Sequence, residues 1–298
     1  MPRLQVLSAQ PSAGKTTIAV ALAEGLAANG ARVQLVRAGS GPGADEDAKS
    51  FAGVLSAGSP GRAVTTPPAG SADETVIVEL DAGATPLDGT PAVVVIRSAP
   101  TDADRALASS LGDRLLGTVA TGVIPDGVED VARELTNGGF RPLALIPENR
   151  ALAAPSVGEI RDALKAQVLY DGDNESETVE DILVAPVYAD PARPHLRRFA
   201  SKAVLAPFNK TDLHLAIIDT NAACLVITGG HDPSPYVIDR AQHDATTILL
   251  APHQTPETIA ALSDVWLTSR FRGERKATAV RNALARVDFA GLAKKLQS

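Results

Sequence analysis

The sequence predicts an α/β protein: a parallel sheet with helices on both faces, then a smaller α/β unit and a helical C-terminal tail. Short, continuous, β-branched runs alternate with helical stretches through the first half, as is typical of parallel strands buried on both faces. A second series of strands and helices starts near residue 147, and the 298 residues suffice for two hydrophobic cores. We predict domains at 1–147 and 148–262 and a tail at 263–298.

The first predicted strand, Leu4–Leu7, leads directly into the segment Ser8–Thr17 and then into an Ala-rich helix, Thr17–Asn29. The helix is predicted to end at Gly30, because glycine readily takes the left-handed conformation that terminates helices. A strand, a short loop and a helix in this order are the setting of a phosphate-binding loop.

Within that segment, Gly14, Lys15 and Thr16 fit the end of the G-x-x-x-x-G-K-[ST] pattern, with Ala9 in place of its first glycine. Loop N–H groups and the positive end of the helix dipole favour an anion at one point. We expect Lys15 to reach the β- and γ-phosphates as a catalytic residue and Thr16 to hold Mg²⁺; an ordinary helix start is the alternative. The predicted nucleotide contacts are Ser12, Ala13, Gly14, Lys15, Thr16, Thr17 and Arg37.

The second strand, Val33–Val36, is followed by Arg37, a glycine-rich turn and the acidic cluster Asp45–Asp47. Arg37 either faces phosphate or an acidic substrate, or forms a surface salt bridge. Asp47 is predicted as a metal ligand, and a solvated loop carboxylate is the alternative.

The third strand, Val76–Leu80, carries Glu79 near its carboxyl end. An acid beside a phosphate loop can hold Mg²⁺ and order a water, so Glu79 is predicted as a metal ligand and catalytic residue. An exposed strand-end carboxylate is the alternative. Two stretches rich in Gly, Pro and Ser, Gly39–Ala44 and Ser56–Ala72, are either a mobile cover or plain surface loops. Further strands are predicted at Val93–Ile96, Leu116–Ala120 and Leu143–Ile146.

The second unit opens with the capping box Ser156–Glu159 and a helix to about Gln167, followed by an acidic turn, Asp171–Thr178. The two glycines of the loop Thr228–Gly230 permit positive φ and the close approach of a ligand or partner backbone; a tight strand-to-helix turn is the alternative. Strands are predicted at Asp181–Val184, Ala203–Ala206, Ala223–Ile227 and Thr246–Leu250, and helices near Thr211–Ile218, Ser234–His243 and from Thr255.

Composition argues against several classes of function. The net charge of −7 and the aromatic fraction of 3% disfavour a nucleic-acid partner, which needs a basic face and stacking surfaces. No apolar run is long enough for a membrane span and no signal segment is recognisable, so no membrane partner is expected. The single cysteine, Cys224, suits a reducing compartment, and we expect the cytoplasm.

The segments Ser8–Thr16, Asp47–Ala48 and Val78–Glu79 resemble the P-loop fold of dethiobiotin synthetase, and more closely its counterpart in the N-terminal regulatory part of some phosphate acetyltransferases. Arg37 stands where those proteins often have a lysine. Thr121 replaces an asparagine that reads adenine in dethiobiotin synthetase, and the segment between Asp47 and Glu79 is shorter than the part that carries that enzyme's substrate.

The second half resembles a DRTGG domain. Pro147–Asn149 and Ser156–Ile160 are similar to its opening, and Thr228–Gly230 to its closing signature. Asn209–Lys210 occupies the Asp-Arg half of that signature. No acyltransferase domain is expected within these residues.

Two functions stay open, beside a third hypothesis in which the chain is a structural module with a vestigial loop. The first is a regulatory protein that binds ATP or another nucleoside triphosphate with Mg²⁺ and hydrolyses it slowly if at all. For it, the resemblance implies a homodimer and a partner enzyme of acetate or acetyl-CoA metabolism. The second is an ATP-dependent ligase or carboxylase of the dethiobiotin synthetase type, in which Lys15, Thr16 and Glu79 handle phosphoryl transfer and Arg37 an acidic intermediate.

Overall fold

The computed structural model describes residues 2–41, 43–54, 63–68, 74–185 and 188–297. The chain divides into two compact units, Met1–Asn149 with Ala277–Ser298, and Arg150–Lys276. Most of the predicted loop Ser56–Ala72, and residue 42 of Gly39–Ala44, lie outside the described residues. Among the residues that are described, no helix has the length and apolar character needed to cross a membrane.

The first unit is built on six strands whose order across the sheet is β2-β3-β1-β4-β5-β6. Every neighbouring pair is parallel. Because all six strands run the same way, the loops that follow β1, β2 and β3 lie at one edge of the sheet, where doubly wound folds bind ligands. The strands are β1 (Arg3–Leu7), β2 (Arg32–Arg37), β3 (Glu74–Glu79), β4 (Ala92–Arg97), β5 (Leu115–Val123) and β6 (Pro142–Pro147).

Helices follow four of these strands. Successive residues such as Val76, Ile77 and Val78 are each at most 1% exposed, so side chains on both faces of the sheet are covered. This explains why the strands read as continuous apolar runs rather than as an alternation. The helices are α1 (Lys15–Ala28), α2 (Ala44–Val54), α3 (Asp102–Leu111) and α4 (Val128–Asn137).

The second unit contains a five-stranded sheet of order β7-β11-β10-β9-β8. Its edge strand β7 is antiparallel to β11, and the other pairs are parallel. The strands are β7 (Gln167–Tyr170), β8 (Asp181–Val184), β9 (Lys202–Pro207), β10 (Cys224–Thr228) and β11 (Thr247–Leu250). Its helices are α5 (Arg150–Ala153), α6 (Val157–Leu164), α7 (Ala189–Leu196), α8 (Thr211–Ile218), α9 (Pro235–Asp244), α10 (Thr255–Ala261) and α11 (Val265–Thr268).

Alternate residues of β10 enter two different hydrophobic clusters. Leu225 and Ile227 belong to one cluster and Cys224 and Val226 to the other, since side chains alternate across a strand. The second sheet is therefore also covered on both faces. Burial raises the pKa of the Cys224 thiol to about 12, as expected for a packed core residue rather than a nucleophile.

The last two helices are α12 (Glu274–Ala283) and α13 (Phe289–Gln297). Residues 277–298 group with the first unit, in which α13 packs on α1 and has Leu292 and Leu296 buried. Phe289 lies against α1, where a β-carbon added at Gly25 would overlap its ring.

The α/β fold class expected from the sequence is confirmed at the level of a parallel sheet flanked by helices and a second sheet. The strand Asp181–Val184 and the helix Thr211–Ile218 have the bounds that were predicted. The helix predicted to run to Gln167 ends at Leu164, because Lys165 adopts a left-handed conformation with φ of 49°. The residues that follow it form β7, whose pairing with β11 has no local signal in the sequence.

Candidate functional site

The loop between β1 and α1 turns sharply into the helix. Ser12 and Gly14 have φ angles of 55° and 87°, and Gly14 is the N-cap residue of α1. No side chain in the described part of the chain caps this end, and the first turn carries no acidic residue. First-turn amides have no partner inside their own helix, so with the helix dipole they offer a site for an anion.

Lys15, the first residue of α1, is buried beside this loop and is only 8% exposed. Its Nζ donates a hydrogen bond of 3.1 Å to Ser8 Oγ, and that hydroxyl donates to the carbonyl of Gln10. Burial lowers the pKa of the Lys15 amine, and the negative charge of Glu79 opposes this effect. The amine is thus held at the loop by a neutral hydroxyl.

The Thr16 hydroxyl donates to Oε1 of Glu79 across 3.0 Å. Parallel pairing of β1 with β3 sets Val6 beside Glu79, so the loop after β1 begins next to the end of β3. Glu79 is 2% exposed, and its second oxygen, Oε2, is buried with no hydrogen-bond partner among the described residues. An unsatisfied buried carboxylate oxygen is costly, and a cation next to it would offset that cost.

Burial raises the pKa of Glu79 to about 7, with Arg37 opposing the rise and Asp47 adding to it. Two cationic side chains, Lys15 and Arg37, interact with three carboxylates, those of Asp47, Glu79 and Asp81. When all five are ionised the cluster carries one excess negative charge. A divalent cation would reverse that excess.

Arg37 lies at the centre of this cluster, with 5% of its side chain exposed. Its Nη2 donates to Asp81 Oδ1 at 2.6 Å, and its Nε lies 3.5 Å from Asp47 Oδ2 and 3.9 Å from Glu79 Oε1. The guanidinium also donates to the carbonyl of Ala38. Arg37 is thus a buried guanidinium that contacts three carboxylates, of which Glu79 is buried and Asp47 and Asp81 are partly exposed.

Asp81 also holds the loop that follows β2. Its Oδ2 accepts hydrogen bonds from the backbone N–H groups of Ser40 at 3.2 Å and Gly41 at 3.1 Å. A β-carbon at Gly39 would overlap this carboxylate, and one at Gly41 would lie 2.6 Å from Oδ1. These two glycines are therefore required for the loop to close around Asp81.

Two side chains from the neighbouring strands support the candidate phosphate loop from outside. Thr121 Oγ1, in β5, donates to the carbonyl of Ala13 at 2.7 Å, and Arg97 Nη1, at the end of β4, donates to the carbonyl of Ser12 at 3.2 Å. Thr121 thus acts on the loop backbone, at the position where the resemblance implied a base-reading side chain.

Mg²⁺ is the metal ion that this cluster is expected to hold beside a nucleotide. The described residues contain no group of three His, Cys, Asp or Glu side chains that could hold a metal ion alone. Mg²⁺ beside a nucleotide needs fewer protein ligands, because phosphate oxygens and waters complete its shell. The Thr16 hydroxyl and the unpartnered oxygen of Glu79 are suited to this role, and Asp47 reaches the same cluster through Arg37.

In the second unit, the loop Thr228–Gly230 is a tight turn packed on its neighbours. Gly229 and Gly230 have φ of 104° and 68°, and added β-carbons would lie 2.8 Å from the Phe208 ring and 3.0 Å from the Pro252 carbonyl. The Thr228 hydroxyl lies 2.7 Å from that of Thr255. Close packing therefore accounts for both glycines without a ligand.

Of the residues singled out from the sequence, Lys15, Thr16, Arg37, Asp47 and Glu79 come together in one cluster. Ser12, Ala13 and Gly14 supply the loop backbone, and Thr17 lies in the first turn of α1. Sequence reasoning missed the contacts made by Ser8, Arg97, Thr121 and Asp81. Their shared signal is a position at, or within two residues of, the carboxyl end of a parallel strand.

The DRTGG domain family matches residues 159–265 of this chain. Among curated proteins, the chain is similar to a cobalt-dependent inorganic pyrophosphatase of Clostridium perfringens, with 26% identity over 106 residues, 35% of this chain and 19% of that protein. It is also similar to a phosphate acetyltransferase of Nitrosomonas europaea, with 25% identity over 170 residues, 49% of this chain and 24% of that protein. The chain thus matches a quarter or less of the length of these relatives.

Two solved structures show weaker likeness. One contains the CBS and DRTGG domains of the Clostridium perfringens pyrophosphatase regulatory region with its activator diadenosine tetraphosphate (23% identity, 39% of this chain, 49% of that chain, TM-score 0.33). The other is the MinC:MinD cell division complex of Aquifex aeolicus (13% identity, 51% of this chain, 83% of that chain, TM-score 0.36). Both scores are low, and the fold described above rests on this chain's own strands and helices.

The resemblance of the first half to dethiobiotin synthetase stays a prediction. The resemblance of the second half to a DRTGG domain is confirmed by the family match, which ends at residue 265 in the helical segment after β11. The chain therefore contains a DRTGG domain at residues 159–265 and is a distant homologue of a phosphate acetyltransferase.

Proposed function

We propose that this chain is a regulatory P-loop protein, in which the first unit binds a nucleoside triphosphate with Mg²⁺. One observation carries the proposal. Gly14, Lys15 and Thr16 open a helix with no side-chain cap, next to the buried carboxylate of Glu79, one oxygen of which has no hydrogen-bond partner within the described part of the chain. A phosphate chain with a divalent cation supplies the negative charge that the helix start favours and the positive charge that Glu79 favours.

In this proposal the phosphates lie on the backbone N–H groups from Ser12 to Thr17. Lys15 exchanges its hydrogen bond with Ser8 for one with the β- and γ-phosphates. Thr121 and Arg97 hold the loop carbonyls away from the ligand, because both donate to them.

In this proposal Mg²⁺ is held by Thr16 and Glu79, and by Asp47, which lies in the same cluster and contacts Arg37. Bound Mg²⁺ neutralises charge on the phosphate oxygens. Glu79, whose buried Oε2 has no hydrogen-bond partner among the described residues, is also the residue that would order a water for hydrolysis. Because the other two carboxylates described in the cluster, those of Asp47 and Asp81, contact Arg37, we propose that hydrolysis is slow, so that the bound nucleotide acts as a signal.

The DRTGG domain at residues 159–265 supports a regulatory role, with nucleotide occupancy coupled to its conformation or assembly. Similarity to a phosphate acetyltransferase supports a partner enzyme in acetate or acetyl-CoA metabolism. We propose a homodimer and a cytoplasmic location as part of the same hypothesis. The single, buried Cys224 is compatible with a reducing compartment.

Thermal unfolding with a panel of nucleotides tests the proposal. A nucleotide at about a hundred times its dissociation constant adds about 2.7 kcal/mol to the unfolding free energy, which raises Tm by at least about two degrees. We expect this shift with Mg-ATP or Mg-GTP, and its loss in Lys15→Ala. Lys49→Ala, at a side chain 61% exposed on α2, is the matched control. If no nucleotide shifts Tm, the loop has no such function.

Arg37 beside the loop also supports the second candidate, an ATP-dependent ligase or carboxylase, because an acidic intermediate needs a cation next to the terminal phosphate. Formation of dethiobiotin from diaminopelargonate, ATP and bicarbonate would replace the regulatory proposal by this one. Absence of product in the presence of bound nucleotide would exclude it.

A further inference from the structure

We propose that Asp81 fills an anion-binding pocket of its own chain, formed by Arg37 and the backbone N–H groups of Ser40 and Gly41. In the ligand-bound state, a terminal phosphate or a carboxylate of a ligand replaces it there. The nucleotide function proposed above depends on the loop before α1, and the pocket at Arg37 is a second anion subsite beside it. The identity of the ligand in this pocket rests on that proposed function.

The geometry of the pocket is that of an anion receptor. One carboxylate oxygen of Asp81 accepts from Arg37 Nη2 at 2.6 Å, and the other accepts from two successive backbone N–H groups at 3.2 and 3.1 Å. Successive backbone N–H groups that converge on one point form a concave anion site, and a guanidinium adds a charge-assisted bond. A phosphate or carboxylate group makes the same set of bonds.

The backbone around the pocket is built for a close approach. Gly39 has φ of 121°, in the region that side chains rarely adopt. A β-carbon at Gly39 would overlap the bound carboxylate, and one at Gly41 would lie 2.6 Å from it. The absence of side chains at both positions leaves the N–H groups open to an anion.

Asp81 is a replaceable occupant rather than part of a sealed core. Arg37 is buried, with 5% of its side chain exposed, whereas 31% of the Asp81 side chain is exposed. The residue lies in the loop after β3 and not in the strand itself, so its side chain can leave while β3 stays paired. Asp47 and Glu79 remain close to Arg37 when Asp81 leaves.

The pocket adjoins the candidate phosphate loop. Arg37 Nε lies 3.9 Å from Glu79 Oε1, and that oxygen accepts from the Thr16 hydroxyl at 3.0 Å. An anion that replaced Asp81 would contact Arg37, and Arg37 in turn contacts Glu79, which is proposed to hold Mg²⁺. Two sources have this chemistry: the terminal phosphate of the nucleotide itself, and an acidic group of a second ligand.

Inorganic phosphate is the probe that tests the pocket. Its affinity is measured by titration calorimetry on the full chain at constant ionic strength. Every variant carries Lys15→Ala, so that the phosphate loop itself contributes little. If Asp81 fills the pocket nine-tenths of the time, its removal raises phosphate affinity about tenfold. We expect that gain in Asp81→Asn and Asp81→Ala, and its loss when Arg37→Met is added.

Asp47→Asn is the matched control, because it removes a carboxylate 3.5 Å from the same guanidinium, whereas the backbone N–H groups of Ser40 and Gly41 donate to Asp81. An equal gain in this variant would show a general charge effect and overturn the proposal. Unchanged or weaker phosphate binding in both Asp81 variants would overturn it as well. If Asp81→Ala does not fold, the phosphate affinity of the isosteric variant Asp81→Asn tests the proposal.

With Lys15 intact, ATP and ADP distinguish the two sources. A gain in affinity for ATP but not for ADP in Asp81→Asn assigns the pocket to the terminal phosphate. A gain for inorganic phosphate that persists with ADP bound assigns it to a second acidic ligand. Failure of the nucleotide proposal shows as an absent response to Lys15→Ala, whereas failure of this inference shows as an absent response to Asp81 substitution.

Discussion

Phe289, the first residue of α13, packs its ring against Gly25 in α1, the helix that starts at the candidate phosphate loop. A β-carbon at position 25 would overlap the ring, so the contact requires glycine inside a helix despite its cost. The C-terminal helix thus contributes to the packing of the element that would bear the nucleotide phosphates.

We predict that Gly25→Ala lowers the unfolding free energy of the first unit. The added methyl group forces Phe289 away from α1, and overpacking of this kind costs about 1–3 kcal/mol. Urea unfolding followed by circular dichroism measures the change. Gly127→Ala is the control, because a β-carbon there has no atom within 4 Å. Equal stability of the two variants would contradict the packing argument.

Thr121→Val should weaken nucleotide binding. The substitution keeps the shape of the side chain but removes the hydrogen bond to the Ala13 carbonyl, which is worth about 1 kcal/mol. We expect an affinity about fivefold lower in a nucleotide titration. Thr118→Val, in the same strand, is the matched control, because the Thr118 hydroxyl has no partner among the described residues. A similar loss of affinity in both variants would argue against a role of Thr121 in the loop.

Glu79→Gln should stabilise the protein at pH 8. The pKa of Glu79 is about 7 in the folded protein and about 4.3 in an unfolded chain. The folded state therefore binds more protons between these values, and the free energy of unfolding falls as the pH rises through them. Well above pH 7 this cost is complete, at most about 4 kcal/mol, and glutamine removes it.

Urea unfolding at pH 8 and at pH 4.5 measures this effect of Glu79. Most of the variant's advantage should be lost at the lower pH, where the wild-type carboxyl is neutral in the folded protein and partly protonated in the unfolded chain. Glu74→Gln, at the first position of the same strand, is the control. An advantage that is independent of pH would refute the electrostatic explanation.

Lys276→Met should abolish a rise in stability at alkaline pH. Lys276 is 2% exposed, and its Nζ donates to Ser269 Oγ and to the Arg270 carbonyl. Burial lowers its pKa to about 8. The unfolded lysine binds more protons between pH 8 and about 10.4, so the free energy of unfolding rises with pH across this window.

The free energy of unfolding of the wild type, relative to that of Lys276→Met, should therefore rise by up to about 3 kcal/mol between pH 8 and 10. Trp266, the single tryptophan, packs in a core cluster of the second unit and reports its unfolding by fluorescence. Other titrating groups are common to both proteins and cancel in the difference. A pH-independent difference would show that the folded amine stays protonated over the same pH range as an unfolded lysine.

The sequence predicted the strands of both sheets other than β7, because burial on two faces leaves continuous apolar runs. It also predicted the residues of the site that lie in one motif, such as Lys15 and Thr16. It could not predict that Thr121 supports Ala13, or that Asp81 binds Arg37, because these pairs are 108 and 44 residues apart. Nor could it predict β7, an edge strand whose pairing depends on β11.

Cys224 offers an intrinsic probe of motion in this chain. It is the only thiol, it has no exposed surface, and its neighbours in the cluster come from both sides of β10 in the sequence. An alkylating reagent can modify it only when the second unit opens, so the rate of alkylation measures how often that opening happens. Opening of the first unit exposes no thiol and so causes no alkylation. Mass spectrometry of the modified chain would therefore measure the opening rate of the DRTGG domain alone.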